Sequence, residues 1–211
     1  MAHTVSIRPV PEFNTDATRW KTVASLHVGK TGSHTLTCFS WLVALRMNVG
    51  EGDKRCLFIF KESLNARVFD HISDRIITTS FKLANTKVVV VAVYFPSTNR
   101  SFNEYMKTLE TLEQICLQYK NNKTNLILLG DFNAHIEENK VGQKWNKRGT
   151  KLQSMFNKLK LVPVNLYPPC DSQQLTYLSR TENSIIDYII LDKNLVQYME
   201  SVQVLNEHPD N

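Results

Sequence analysis

Cysteine is scarce and scattered. The 211 residues hold four, Cys38, Cys56, Cys116 and Cys170, with no Cys-x-x-Cys pair. That spacing excludes the usual zinc and dithiol motifs and reads as free thiols in a reducing compartment. Long apolar runs are absent too. None approaches the roughly eighteen residues of a membrane span, and Met1–Arg8 lacks a signal-peptide hydrophobic region. A soluble, intracellular chain is the expectation, with the Asn99 and Asn122 sequons unused. Seven Gly, seven Pro and 21% charged residues are too ordinary a mix for disorder or a coiled coil.

The remaining 42% hydrophobic composition suits one domain with a real core. A formal charge of +5 permits a polyanionic partner without requiring one. One local absence is sharper. Between Asn139 and Cys170 there is no Asp or Glu, against Lys140, Lys144, Lys147, Arg148, Lys151, Lys158 and Lys160. Such a run reads either as a solvated face or as a phosphate-backbone surface, with Trp145 available to stack on a base. Lys144, Trp145, Lys147, Arg148 and Lys151 are the candidate contacts.

Residues 1–55 show no sustained period and read as a divergent or incomplete segment beside a domain at 56–211. Gly29-Lys30-Thr31 fails as a phosphate loop, because Ala24 stands where that motif needs Gly. His27 and His34 have no further metal ligand nearby. From Cys56 strands are expected at Leu57–Phe60, Arg75–Leu83 and Lys87–Phe95. The last is a β-branched run of the kind buried on both faces. Residues 101–119 carry apolar side chains at helical spacing, with Ser101 as N-cap and Glu104 completing a capping box. Leu126–Leu129 is the next buried strand, so the unit is strand, helix, strand.

That strand runs into Gly130-Asp-Phe-Asn-Ala-His135. Continued alternation would send Asp131, Asn133 and His135 to one side, whereas turn chemistry explains the same residues without a site. A second helix from Gly149 follows, then strands at Val162–Leu166, Gln174–Leu178, Ser184–Leu191 and Val202–Leu205, with a short helix at Lys193–Met199. Asp187 lies inside the apolar run Ser184-Ile-Ile-Asp-Tyr-Ile-Ile-Leu191. A carboxylate there is costly to bury unless paired, so it is either a structural partner or a group held for chemistry.

Val93-Tyr-Phe-Pro96, Leu128-Leu-Gly-Asp-Phe-Asn-Ala-His135 and Ser184–Leu191, in that order, resemble the endonuclease/exonuclease/phosphatase family over about residues 56–205. The branch resembled is the endonuclease domain of non-LTR retrotransposons and their craniofacial-development-protein relatives. The resemblance implies a four-layer α/β sandwich and Mg²⁺-dependent phosphodiester hydrolysis, with Mn²⁺ as a substitute. By that likeness Asp131 orients or deprotonates the attacking water and ligates the metal. Asn133 holds a phosphate oxygen, the water or the metal, and Tyr94 hydrogen-bonds the scissile phosphate. Asp187 pairs with a catalytic His or steers phosphate and base, while His135 lies beside the core. The basic 140–160 stretch motivates DNA as the partner; a monomer is expected, in the nucleus rather than the cytoplasm, with no membrane and no identifiable protein partner.

Two parts of the family pattern have no counterpart. The early Asn and metal-binding Glu are not found in residues 1–55, and His208-Pro-Asp-Asn211 does not reproduce the closing Ser-Asp-His. A chain truncated at both ends is the expectation this raises. Its functional alternative is a non-catalytic module that binds nucleic acid or protein. A third reading keeps the fold and changes the substrate to a phosphoinositide or RNA tail.

Overall fold

The computed structural model describes residues 20–28, 39–46, 67–83, 86–136, 146–167, 176–178 and 183–205. Leu57–Phe60, Gly29–Thr31, His34, Lys144, Trp145 and His208–Asn211 lie outside them.

The centre is a six-stranded sheet in the order β3-β4-β5-β6-β10-β7. Its strands are β3 (Arg67–Ser73), β4 (Ile76–Leu83), β5 (Thr86–Tyr94), β6 (Asn125–Asp131), β7 (Leu161–Pro163) and β10 (Asp187–Asp192). Strands β5 and β6 run parallel, joined by helix α1 (Phe102–Asn121), which is the strand–helix–strand unit the sequence predicts. Every residue of β5 from Val88 onward is buried. A β-branched run with no polar alternation suits a strand covered on both faces.

Alternation sorts the core into two clusters. Val89, Val91, Val93, Leu126, Leu128 and Ile190 face α1 and helix α2 (Lys147–Leu159). On the other face Val88, Val90, Ala92, Ile127, Leu129, Ile189 and Leu191 meet Val164, Leu195, Val196 and Met199. Leu195 and Val196 come from α3 (Lys193–Val196), and Met199 from β11 (Met199–Leu205). Strand β11 belongs to a second sheet, order β11-β1-β2, with β1 (Trp20–Val28) and β2 (Phe39–Arg46). Strand β1 thus joins a strand from the other end of the sequence, pairing Val23 with Leu205. A two-stranded ribbon, β8 (Tyr177–Leu178) with β9 (Asn183–Ser184), completes the described strands. The architecture is mixed α/β, with sheet between helices and a second sheet, as the resemblance implies.

Several sequence expectations need correction. Ser101 does cap α1, its Oγ accepting the Glu104 N–H at 3.1 Å. The Glu104 carboxylate, however, turns away to Arg75 at 2.9 Å, so the reciprocal half of the capping box is not made. Helix α2 begins two residues earlier than Gly149, capped by the Asn146 side chain on the Gly149 N–H at 2.7 Å. Strand pairing ends at Pro163, where the chain tightens into a 3-10 turn over Val164–Leu166. The Ser184–Leu191 run is two strands rather than one, broken at Ile185–Ile186.

Candidate phosphodiester site

Asp131 ends β6 and occupies the centre of a row. Tyr94 on β5 is its register partner on one side, and Asp187 on β10 its partner on the other. Register partners on neighbouring strands project to the same face. Tyr94 continues the alternation of Val88, Val90 and Ala92, Asp131 that of Ile127 and Leu129, and Asp187 that of Ile189 and Leu191. All three therefore leave the sheet on the face away from α1 and α2, and all are buried.

The backbone fixes this row closely. Phe95 N–H donates to the Asp131 carbonyl at 2.8 Å, and Phe132 N–H to the Ile186 carbonyl at 2.8 Å. The second bond makes Asp131 and Asp187 a non-hydrogen-bonded pair, whose Cα atoms lie about 4.5 Å apart. Gly130 precedes Asp131 at φ +148°, and a Cβ there would stand 2.0 Å from the Val93 carbonyl oxygen. Only glycine lets β5 and β6 close up immediately before the carboxylate.

The alternation expected to carry Asn133 and His135 onto the same face stops at Asp131. Asn133 has φ +45°, its N–H donates to Asp131 Oδ1 at 2.9 Å, and its side-chain amide donates to the Phe95 carbonyl at 2.9 Å. This Asx turn orients the Asp131 carboxylate from behind and ties the β6 exit to the β5 exit. The following loop is held by Tyr188, whose hydroxyl lies 2.8 Å from the Ala134 carbonyl and 2.7 Å from that of Ile185. Burial pushes the Tyr188 phenol far above its ordinary range, so it keeps its proton and can donate. Behind His135, Gly149 lets α2 approach so closely that a Cβ would meet the His135 carbonyl at 1.6 Å.

Sequence reasoning missed two groups that hold Asp187. Thr176 Oγ1 accepts the N–H of both Ile186 and Asp187, each at 3.1 Å. Asn165, buried in the 3-10 turn, donates to the Asp187 carbonyl at 3.1 Å and accepts the Ile189 N–H at 2.9 Å. The signal was an amide in the otherwise apolar Val162-Pro-Val-Asn-Leu166. Arg75 was missed as well. It sits in the β3–β4 hairpin with its guanidinium carbon 5.7 Å from the Tyr94 ring centroid.

The basic stretch divides. Lys147 and Lys151 are exposed, Lys147 with its Nζ 4.2 Å from the Phe102 ring centroid. Arg148 is buried, and its guanidinium donates to the carbonyls of Pro96 at 2.6 Å and Arg100 at 2.9 Å while lying over the Tyr105 ring. Two of its N–H donors are thus engaged inside the protein, pinning the loop after Tyr94 onto α2.

Among the described residues no helix is long and apolar enough to cross a membrane, and no group of three or more His, Cys, Asp and Glu converges as a metal cage.

A family profile described as Endonuclease-reverse transcriptase matches residues 88–210, more than half of the chain, and spans the whole row. The fold is similar to the endonuclease domain of TRAS1, a telomere-specific non-LTR retrotransposon (TM-score 0.52, 19% identity, 70% of this chain and 64% of that one). It is also similar to the AP endonuclease LMAP from Leishmania major (TM-score 0.50, 11% identity, 65% of this chain and 55% of that one). The chain thus spans less than two thirds of either structure's length. No curated protein matches.

Proposed function

The chain belongs to the Endonuclease-reverse transcriptase family, and from that premise we propose that the Tyr94–Asp131–Asp187 row is a centre for phosphodiester hydrolysis in DNA. The observation that carries the reading is the register: a phenol and two carboxylates stand abreast on three adjacent strands, on one face, at one end of the sheet.

Each residue has a task that its position suits. Asp131, with Oδ1 held by the Asn133 N–H, is set to orient or deprotonate a water. Tyr94 offers a hydroxyl donor to a non-bridging phosphate oxygen, where charge accumulates during in-line attack. Asp187, its backbone locked by Thr176 and Asn165, supplies the second carboxylate. Asn133 braces Asp131, and its side-chain amide ties the β6 exit to the Phe95 carbonyl just past β5.

Two carboxylates this close concentrate negative charge, and their hard oxygens fit Mg²⁺ or Mn²⁺. Such ions are commonly held by one or two carboxylates, with waters and phosphate oxygens completing the octahedron. Asp131 and Asp187 are the residues that would hold the ion, with Asn133 as a neighbouring oxygen donor. When bound it supplies Lewis-acid stabilisation of phosphate charge. Lys147 and Lys151 on the outer surface of α2 would bind backbone phosphates away from the scissile bond.

Nicking of supercoiled plasmid in Mg²⁺ tests the proposal. Conversion to open circle is expected, with loss on Asp131→Asn. Binding of the plasmid without conversion, equal for wild type and Asp131→Asn, would instead favour a non-catalytic DNA-binding module. The observation behind that second reading is the exposure of Lys147 and Lys151 on α2, where they can hold phosphates whether or not the row turns over.

A further inference from the structure

The row has a fourth member. Strand β4 pairs with β5 through Ile76 and Val93, and the ladder extends one residue further, with the Tyr94 N–H donating to the Arg75 carbonyl at 2.9 Å. Arg75 therefore follows Tyr94, Asp131 and Asp187 across the sheet end. Its guanidinium carbon lies 5.7 Å from the Tyr94 ring centroid, and one terminal nitrogen reaches the Tyr94 carbonyl at 3.5 Å. The other donates to Glu104 Oε1 at 2.9 Å.

We propose that Arg75, held by Glu104 of α1, is a positioning residue that sets the Tyr94 phenol for the phosphate; the functional half of this inference rests on the phosphodiesterase reading of the row. Arg75 and Glu104 keep 24% and 37% of their side chains exposed. An ion pair so open contributes little to folding, so stability does not explain why Glu104 leaves its own helix cap to make it. Orientation does. A guanidinium near an aromatic face restrains the ring by cation–π attraction, and its tether to the first turn of α1 prevents it from swinging away.

The test uses the full chain labelled with 3-fluorotyrosine, the Tyr94 ¹⁹F resonance being assigned by its loss in Tyr94→Phe. Arg75→Met and Glu104→Gln should displace or broaden that resonance, and Arg75→Lys should restore part of it. Single-turnover nicking should fall by roughly three- to thirty-fold in Arg75→Met and by no further amount when Tyr94→Phe is already present. Thermal unfolding of each variant confirms folding, with Arg75→Lys standing in should Arg75→Met fail to fold. An unmoved Tyr94 resonance overturns the proposal, as does an Arg75→Met rate loss of full size in the Tyr94→Phe background. If nicking is absent or indifferent to Asp131→Asn, the phosphodiesterase reading falls, and the resonance alone decides whether Arg75 positions Tyr94.

Discussion

Asp131 and Asp187 face each other directly across β6 and β10, as a non-hydrogen-bonded pair at the buried end of the sheet. Like charges placed directly opposite are destabilising, so on the proposed reading of the row the pair would set function against stability. In metal-free buffer Asp131→Asn should gain about 0.5–1 kcal/mol, since an Asn oxygen can still accept the Asn133 N–H. Mg²⁺ at about 100 times its dissociation constant should stabilise the wild type by about 2.7 kcal/mol and leave the variant nearly unmoved. Nicking by the variant should fall at least about a hundredfold. Urea unfolding with and without Mg²⁺ checks the first two statements, and the plasmid assay the third.

Gly130→Ala should be among the most damaging single-methyl additions. Its φ of +148° disfavours any side chain, and the new Cβ would collide with the Val93 carbonyl. A loss of about 3 kcal/mol or more is expected, because the strand and not a flexible side chain must move. Chemical denaturation measures it, and a loss below about 1 kcal/mol would contradict the tight β5–β6 approach.

Arg148 and the two exposed lysines should separate cleanly. Arg148→Met leaves the Pro96 and Arg100 carbonyls without their donor, and about 3 kcal/mol of stability should go with it. Lys147→Glu and Lys151→Glu should leave the melting temperature nearly unchanged. They should weaken DNA binding and flatten its salt dependence by about one unit of log–log slope for each phosphate no longer neutralised. Binding isotherms at several salt concentrations, beside melting curves, test the division.

Cys116 is on the buried face of α1, and burial pushes its thiol from 9.0 up to about 12. In the unfolded chain the thiol ionises near its ordinary value, so between those two pH values the unfolded state binds fewer protons. The stabilising contribution is therefore fully present below pH 9.0 and is lost as pH rises toward about 12. Cys116→Ala should remove that part of the alkaline slope. A thiol reagent at pH 8 should label Cys116 only as fast as the protein opens.

Much of the candidate site's placement was legible because its residues sit at strand ends. Pro96 after an apolar run marked Tyr94, Gly130 marked Asp131, and the energetic oddity of a carboxylate among isoleucines marked Asp187. What sequence could not supply was adjacency. Tyr94 and Asp187 are 93 positions apart, and only the order β5-β6-β10 puts Asp131 between them. The burial of Arg148 was not legible either, because charge is read from composition while burial is decided by tertiary contacts, here the two carbonyls and the Tyr105 ring. Asn133 misled because period-two alternation was extended past the point where φ turns positive. Residues 20–28 and 39–46 lacked a clear period, yet they form paired strands whose partner, β11, lies far along the chain. Local pattern carries no information about so distant a neighbour.

The pairing of Val23 with Leu205, and the insertion of β10 between β6 and β7, have a consequence for the chain as it leaves the ribosome. Strands β3 to β6 with α1 can assemble from contiguous sequence. Strand β1 must wait, its partner on one side still unsynthesised, and β7 has no hydrogen-bonding neighbour until β10 arrives. Asp187 comes with that late strand, so the row closes only once β10 has been made. Before then the nascent protein carries Tyr94 and Asp131 beside an unpaired β6 edge. This is the interval in which a chaperone, or a wrong strand from another copy, would find its template.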